Sequence, residues 1–138
     1  MDALEETALL DLEHRGWEAL CTGNGGDFYG SLMTPAAVMV LVNGWVLDRE
    51  AVRQSLNESP PWSGYDLSDT RLVPVSAGSA SSGSSGSSST VPGSAALVYR
   101  ARAWRDGEAP FEALMASTYT IVDGRLRLAL YQQTTITH

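Results

Sequence analysis

The sequence predicts an α+β fold in which helices come first and a long, mostly antiparallel sheet follows. Three observations carry this. Residues Ala3 to Cys21 repeat their apolar positions at helical spacing. The last third, Ala95 to Thr137, alternates with the period of two that marks strands. Turn dipeptides, Asn43-Gly44, Asp106-Gly107 and Asp123-Gly124, separate the extended runs. At 138 residues the chain is expected to be one domain, 1–138, with room for a real core and none for a second.

In the first helix Leu9, Leu12, Gly16 and Leu20 follow the repeat with Trp17 beside them, and the run Gly23 to Gly26 ends it. Asp11, His14, Arg15 and Glu18 fall on the opposite, solvated side, and Glu6 near the fraying start is also expected in solvent. Glu13 differs, because it lies four residues from both Leu9 and Trp17, inside the apolar stripe. A carboxylate on a buried face costs free energy unless it is bonded or neutralised, and burial raises its pKa. Two readings stand side by side. Glu13 locks helix to sheet by accepting bonds from an amide, an arginine or an indole, or it serves a pocket as general base or ligand anchor.

Asp27 to Met33 reads as a short helix capped by Asp27, with Phe28, Leu32 and Met33 buried and Pro35 as its stop. Ala36 to Val42 is β-rich and apolar on both faces, and Trp45 to Leu47 returns after the Asn43-Gly44 turn. Asp48 caps a further helix to about Asn57, with Leu47 and Val52 placed as a staple across its first turn. Ser59-Pro60-Pro61-Trp62 breaks that helix, and a strand runs from about Asp66 to Val75, where Pro74 implies an edge or a bulge.

Ser76 to Ser94 holds ten serines and four glycines, too little apolar surface to pack, so a flexible loop is expected there. It has no lysine and no phosphate-loop spacing. The next strand, Ala95 to Arg105, sets Leu97, Tyr99, Ala101 and Ala103 against Val98, Arg100, Arg102 and Trp104. Phe111 to Val122 aligns Phe111, Ala113, Met115, Ser117, Tyr119 and Ile121, and Arg125 to Thr137 aligns Leu126, Leu128, Leu130, Gln132, Thr134 and Ile136. These inner faces turn partly polar through Ser117, Gln132 and Thr134, which argues for a cavity over a closed core.

Nine basic against sixteen acidic residues give a net charge of −7. That balance argues against nucleic acid and against anionic membrane surfaces. Met1 to Thr7 is acidic and polar, without the basic flank and apolar run of a signal peptide, and no apolar run reaches membrane-spanning length. A cytoplasmic location is therefore expected. The lone Cys21 allows no internal disulfide and reads as a small packed hydrophobe. Two histidines and one cysteine on separate elements offer no metal site, and no nucleotide fingerprint is present, so no cofactor is expected.

With LxxLExxxWEAL from Leu9 to Leu20, VLVNGWVLDREAV from Val40 to Val52 and VDGRLRLALYQQT from Val122 to Thr134, the chain resembles the nuclear transport factor 2-like superfamily. More narrowly it is similar to the small bacterial domains of unknown function near the SnoaL-like polyketide cyclases and ketosteroid isomerases. The resemblance covers nearly everything except Ser76 to Ser94. It implies a strongly curved sheet wrapped around the N-terminal helices as a cone, whose open end admits a small, usually apolar ligand. It also implies a homodimer through the outer sheet face, here Val98, Arg100, Arg102, Trp104, Leu114 and Thr118. The catalytic positions of the known enzymes are vacant. Trp17 stands where ketosteroid isomerases have a tyrosine, no acid falls near Met39 to Leu41 or at Ala116 or Ser117, and neither the histidine pair of scytalone dehydratase nor the Asp-Arg-Asp relay of limonene epoxide hydrolase is present. Glu13 with Trp17 is a pairing that the uncharacterised members share.

Three functions follow as expectations. The first is a small-molecule-binding protein whose cavity is lined by Trp17, Tyr29, Met33, Leu41, Trp45, Trp62, Met115 and Ser117, together with Tyr99 and Tyr119, and has Glu13 and Gln132 as polar fixed points. The second is a cyclase, isomerase or dehydratase in which Glu13 moves a proton while Tyr99 or Tyr119 and Gln132 hold a carbonyl oxygen. The third is an interaction module with a filled cavity and a working outer face.

Overall fold

The computed structural model describes residues 4–76 and 93–136. In chain order the elements are α1 (Glu6–Thr22), α2 (Gly25–Leu32), β1 (Met33–Val40), β2 (Val46–Asp48), α3 (Arg49–Glu58), β3 (Gly64–Ser76), β4 (Ser94–Trp104), β5 (Phe111–Val122) and β6 (Arg125–Thr135). The strands form one curved, mostly antiparallel sheet in the order β2-β1-β6-β5-β4-β3, open between its two edges. Helix α1 contacts β3 and β4, α2 contacts β6, and α3 contacts β1. The architecture is α+β, with the helices in the concavity of the sheet.

The stripe predicted for α1 is the face that packs: Leu9, Glu13, Gly16 and Trp17 are buried. Gly23 ends the helix at φ 82°, a conformation that costs a residue without Cβ nothing, and its N–H bonds back to the Ala19 carbonyl. Two polar residues of α1 are less solvated than their spacing implies. Glu6 accepts a bond from Thr70 Oγ1 at 2.8 Å, and half-buried His14 meets the Tyr65 hydroxyl through Nδ1 at 3.0 Å.

Helix α2 starts two residues before the expected Asp27 cap. Asp27 sits in its first turn and is held by α3, where Asn57 Nδ2 donates to Asp27 Oδ1 at 3.0 Å and Asp27 N donates to Asn57 Oδ1 at 3.2 Å. Asp48 caps α3 as expected, accepting from Ala51 N at 2.9 Å.

Strand β1 begins at Met33 and runs through Pro35, so that proline does not separate helix from strand. It falls where the pairing with β6 slips between Met33 and Val38, a place that tolerates a missing N–H. The β1–β6 pairing is parallel, and it joins the first hairpin to the antiparallel run of β3 to β6 as a single sheet. Strand β3 is an edge, and its register slips near Pro74, as the proline implied. Of the loop expected from Ser76 to Ser94, residues 77–92 lie outside the described residues, whereas Ser76 and Ser94 belong to β3 and β4 and pair with each other. His138 also lies outside them.

One slip changes which side chains face inward. In the β5–β6 pairing Tyr119 stands opposite Leu128 and Thr118 opposite Leu130, so Ala129 is an extra residue in β6. Beyond it the alternation reverses. Leu126 and Leu128 are buried as expected, but next inward comes Tyr131, 2% exposed, while Gln132 and Thr134 face solvent and Leu130 is half-buried. The inward assignment of Leu130, Gln132 and Thr134 is thus overturned by a bulge that leaves no mark in a strictly alternating sequence.

Candidate functional site

Where α1, β1, β5, β6 and the segment after α3 meet, a hollow of about 170 Å³ remains. Trp17 and Leu20 of α1, Met39 of β1 with Leu41 just beyond it, and Phe111 of β5 supply apolar walls. Tyr131 and Gln133 of β6 supply polar ones, and the 59–62 segment with Arg105 forms the rim. A wider groove of about 630 Å³ runs along α1, α2 and Arg127, but it opens broadly to solvent. The less open hollow, walled by aromatic rings, is therefore the better candidate site.

The rim is latched. The Arg105 guanidinium lies 3.8 Å from the Trp62 ring centroid, donates from Nε to Pro61 O at 3.2 Å and from Nη2 to Pro60 O at 2.8 Å, and faces Glu108 at 3.5 Å. Trp62 in turn donates its backbone N–H to Leu20 O at 3.2 Å and packs its ring on Phe111, 5.7 Å between centroids. Two prolines shorten the conformational search of this segment, and one arginine fixes what freedom is left.

One hydrogen bond beyond Trp17 lies a buried polar cluster. Glu13 is 0% exposed and accepts from the hydroxyl of Tyr99, from Ser117 Oγ at 3.0 Å and from the Tyr119 hydroxyl at 2.5 Å. Trp17 Nε1 donates to the Tyr99 oxygen at 3.0 Å. An indole can only donate, so the Tyr99 proton is directed onward to the carboxylate. Burial raises the Glu13 pKa; the Tyr119, Tyr99 and Ser117 hydroxyls and His14 pull it partly back. Burial, followed by the charge of Glu13, pushes Tyr99 and Tyr119 well above the ordinary phenol value, so both keep the protons they donate.

Two further phenols lie close by. Tyr29 and Tyr131 meet edge to face with centroids 5.4 Å apart. The Tyr29 hydroxyl is fully buried, and although Tyr131 is close, no sound hydrogen bond closes on it among the described residues. It rests on the bare Cα of Gly16, where a Cβ would lie 2.1 Å from the oxygen. Gln133 Oε1 accepts from Val42 N at 3.4 Å, which turns its oxygen toward Val42 and its amide hydrogens away from it.

Of the residues singled out in the sequence, Trp17, Leu41 and Trp62 line the hollow. Glu13, Tyr99, Tyr119 and Ser117 come together in the cluster, and Tyr29, Met33 and Met115 are packed in the core. These seven were expected in the cavity wall and are not among the residues that line the hollow, and two further positions leave the interior altogether. Trp45 sits on the β1–β2 hairpin with 61% of its surface exposed, because it falls at the turn, and Gln132 points outward for the reason given by the bulge. The wall residues that spacing does not reveal are Tyr131 and Gln133, rephased by Ala129, and Arg105, whose role depends on contact with a distant loop. Phe111 was legible as an inward residue of its strand. Among the described residues no group of three His, Cys, Asp or Glu gathers as a metal site, and no helix is long and apolar enough to cross a membrane.

On the outer face Leu114 is 46% exposed. Trp104 is not a free surface aromatic, since its ring covers Gly64 and Arg102 lies over it at 5.5 Å. Arg102 also pairs across the strands with Glu112 at 3.5 Å.

No protein-family model matches the chain, and a search of curated proteins finds no match. Solved structures match over nearly its whole length. An NTF2-like protein of unknown function in nutrient uptake from Rhodospirillum rubrum is 17% identical with a TM-score of 0.63, covering 94% of this chain and 98% of its own. An NTF2-like protein from Cytophaga hutchinsonii is 10% identical with a TM-score of 0.68, covering 99% and 100%. A Novosphingobium aromaticivorans protein provisionally called a scytalone dehydratase is 12% identical with a TM-score of 0.64, covering 95% and 83%. At these identities the likeness shows the fold, which is the nuclear transport factor 2-like one.

Proposed function

We propose that this protein binds a small apolar or aromatic molecule in the hollow between Trp17, Trp62 and Tyr131. The observation that carries the reading is an aromatic-walled space behind a rim that Arg105 holds in place, a preformed site whose ordering cost is met by the fold. Its volume suits a single ring, since an apolar cavity of about 150 Å³ accommodates benzene. In this reading Glu13 is a positioning residue. It is wholly buried, is not among the wall residues and is engaged by three hydroxyls, so it fixes Trp17 and the strands and does not exchange protons with an occupant. The outer sheet face, with Leu114 at its centre, is proposed as the contact with a second copy.

Tryptophan fluorescence tests the binding reading, because two of the four tryptophans stand in the wall. Benzene and toluene should perturb the emission saturably, and Leu41→Trp, which fills the space, should abolish the effect. No saturable response to either compound in the parent protein would remove the reading.

A further inference from the structure

The buried phenol of Tyr29 is an anomaly in an otherwise well-satisfied interior. A hydroxyl taken out of water without a partner costs free energy, and native interiors contain few such groups. Here the fold goes further to keep it. Gly16, in the middle of α1, forgoes the better helix propensity of alanine, and its missing Cβ leaves the space that the Tyr29 oxygen occupies. A phenylalanine would fit the same space without the unsatisfied atom.

The ring that packs edge to face against Tyr29 is Tyr131, and Tyr131 lines the hollow. Gln133 lines it too, and with its oxygen turned toward Val42 N its amide group is the end that faces the other way, toward Tyr131. Tyr29 approaches the Tyr131 oxygen with its own proton otherwise unused. An oxygen that faces two donors turns its proton away from both, toward the space it borders. Arg105, the cation at the rim, is occupied by two carbonyls, the Trp62 ring and Glu108. Glu13 adds a buried carboxylate one residue beyond Trp17, which disfavours an anion in the hollow.

From these placements we infer that the occupant is a neutral ring compound carrying one hydrogen-bond acceptor, which takes the Tyr131 proton while Tyr29 donates to the Tyr131 oxygen behind it. The inference rests on the hollow being a binding site and adds the polarity of what enters. Tyr29 then has a use, because a Tyr131 hydroxyl that donates onward is a better acceptor for the unused Tyr29 proton.

Benzene and pyridine separate the two ideas, being nearly the same shape and differing by one acceptor nitrogen. Affinities for both are measured at pH 8, where pyridine is neutral, on the parent, on Tyr131→Phe and on Tyr29→Phe. We expect Tyr131→Phe to lose roughly tenfold more in pyridine affinity than in benzene affinity, the retained benzene binding also showing that the variant is folded. Tyr29→Phe should weaken pyridine by a smaller factor and leave thermal stability equal or higher, since it deletes an unsatisfied group. If Tyr131→Phe binds both compounds as the parent does, the acceptor-directed inference is overturned and the binding reading stands. If the parent binds neither compound, the binding reading falls and this inference with it.

Discussion

The indole nitrogen of Trp17 donates to the Tyr99 oxygen at 3.0 Å, and because an indole never accepts, this contact sets the direction of the proton between Tyr99 and Glu13. Trp17→Phe keeps much of the ring surface but withdraws the donor. Stability to urea should fall by about 1–2 kcal/mol, the cost of a buried hydroxyl with one partner fewer plus a smaller ring. An unchanged midpoint would show that the bond contributes nothing.

Replacing Glu13 distinguishes a fixing role from a burden. Glu13→Leu strands three buried hydroxyls at once and should cost about 3 kcal/mol or more. Glu13→Gln keeps an acceptor for Tyr99 and Ser117 but turns a donor toward Tyr119, so it should fall between the parent and Glu13→Leu. Equal stability of the two variants in equilibrium unfolding would contradict this ordering.

Acidity should act through the same side chain. Burial raises the folded-state pKa of Glu13 above the ordinary 4.5 of a glutamate. Such a group contributes stability that is full below the unfolded pKa and lost as pH rises through the folded one. The stability of the parent relative to Glu13→Gln should therefore grow as pH falls from neutral toward about 4.5. Denaturant titrations of both proteins at matched pH isolate this contribution from the other carboxylates, and a flat difference would contradict it.

Gly16→Ala tests the close approach of α1 to Tyr29. Propensity alone favours alanine by up to about 1 kcal/mol, but the new methyl would stand 2.1 Å from the Tyr29 oxygen and 2.6 Å from Cζ. We expect a net loss above 1 kcal/mol, on the scale of core overpacking, with part of it recovered in the double variant with Tyr29→Phe. Thermal unfolding of the four-member cycle gives the coupling directly.

Arg105→Ala should release the Pro60–Trp62 rim, weakening benzene binding several-fold with a stability loss of about 1–2 kcal/mol. Arg105→Lys should restore little, since an ammonium cannot span two carbonyls while lying flat on an indole. Trp62 emission reports the release.

The elements that depend on a single repeat were legible before any coordinates. The α1 stripe put Glu13 inside because its spacing from Leu9 and Trp17 leaves no other face, and alternation assigned Tyr99, Ser117 and Tyr119 to the side that meets it. What escaped depends on relations between elements. The parallel seating of β1 on β6 has no local signature, and neither does the contact of Arg105 with a loop more than forty residues away. The bulge at Ala129 is the instructive case. Leu-Ala-Leu-Tyr-Gln-Gln reads equally well in either phase, and the choice of Tyr131 and Gln133 over Gln132 is made by the partner strand.

Trp17 is at once a panel of the hollow and the outermost member of the clasp between α1 and the sheet. Whatever presses on that indole from one side also braces the joint on the other, so occupancy and resistance to melting are linked quantities in this molecule. A rising unfolding temperature across a compound collection is then a gauge of what fits, readable with no knowledge of the natural occupant.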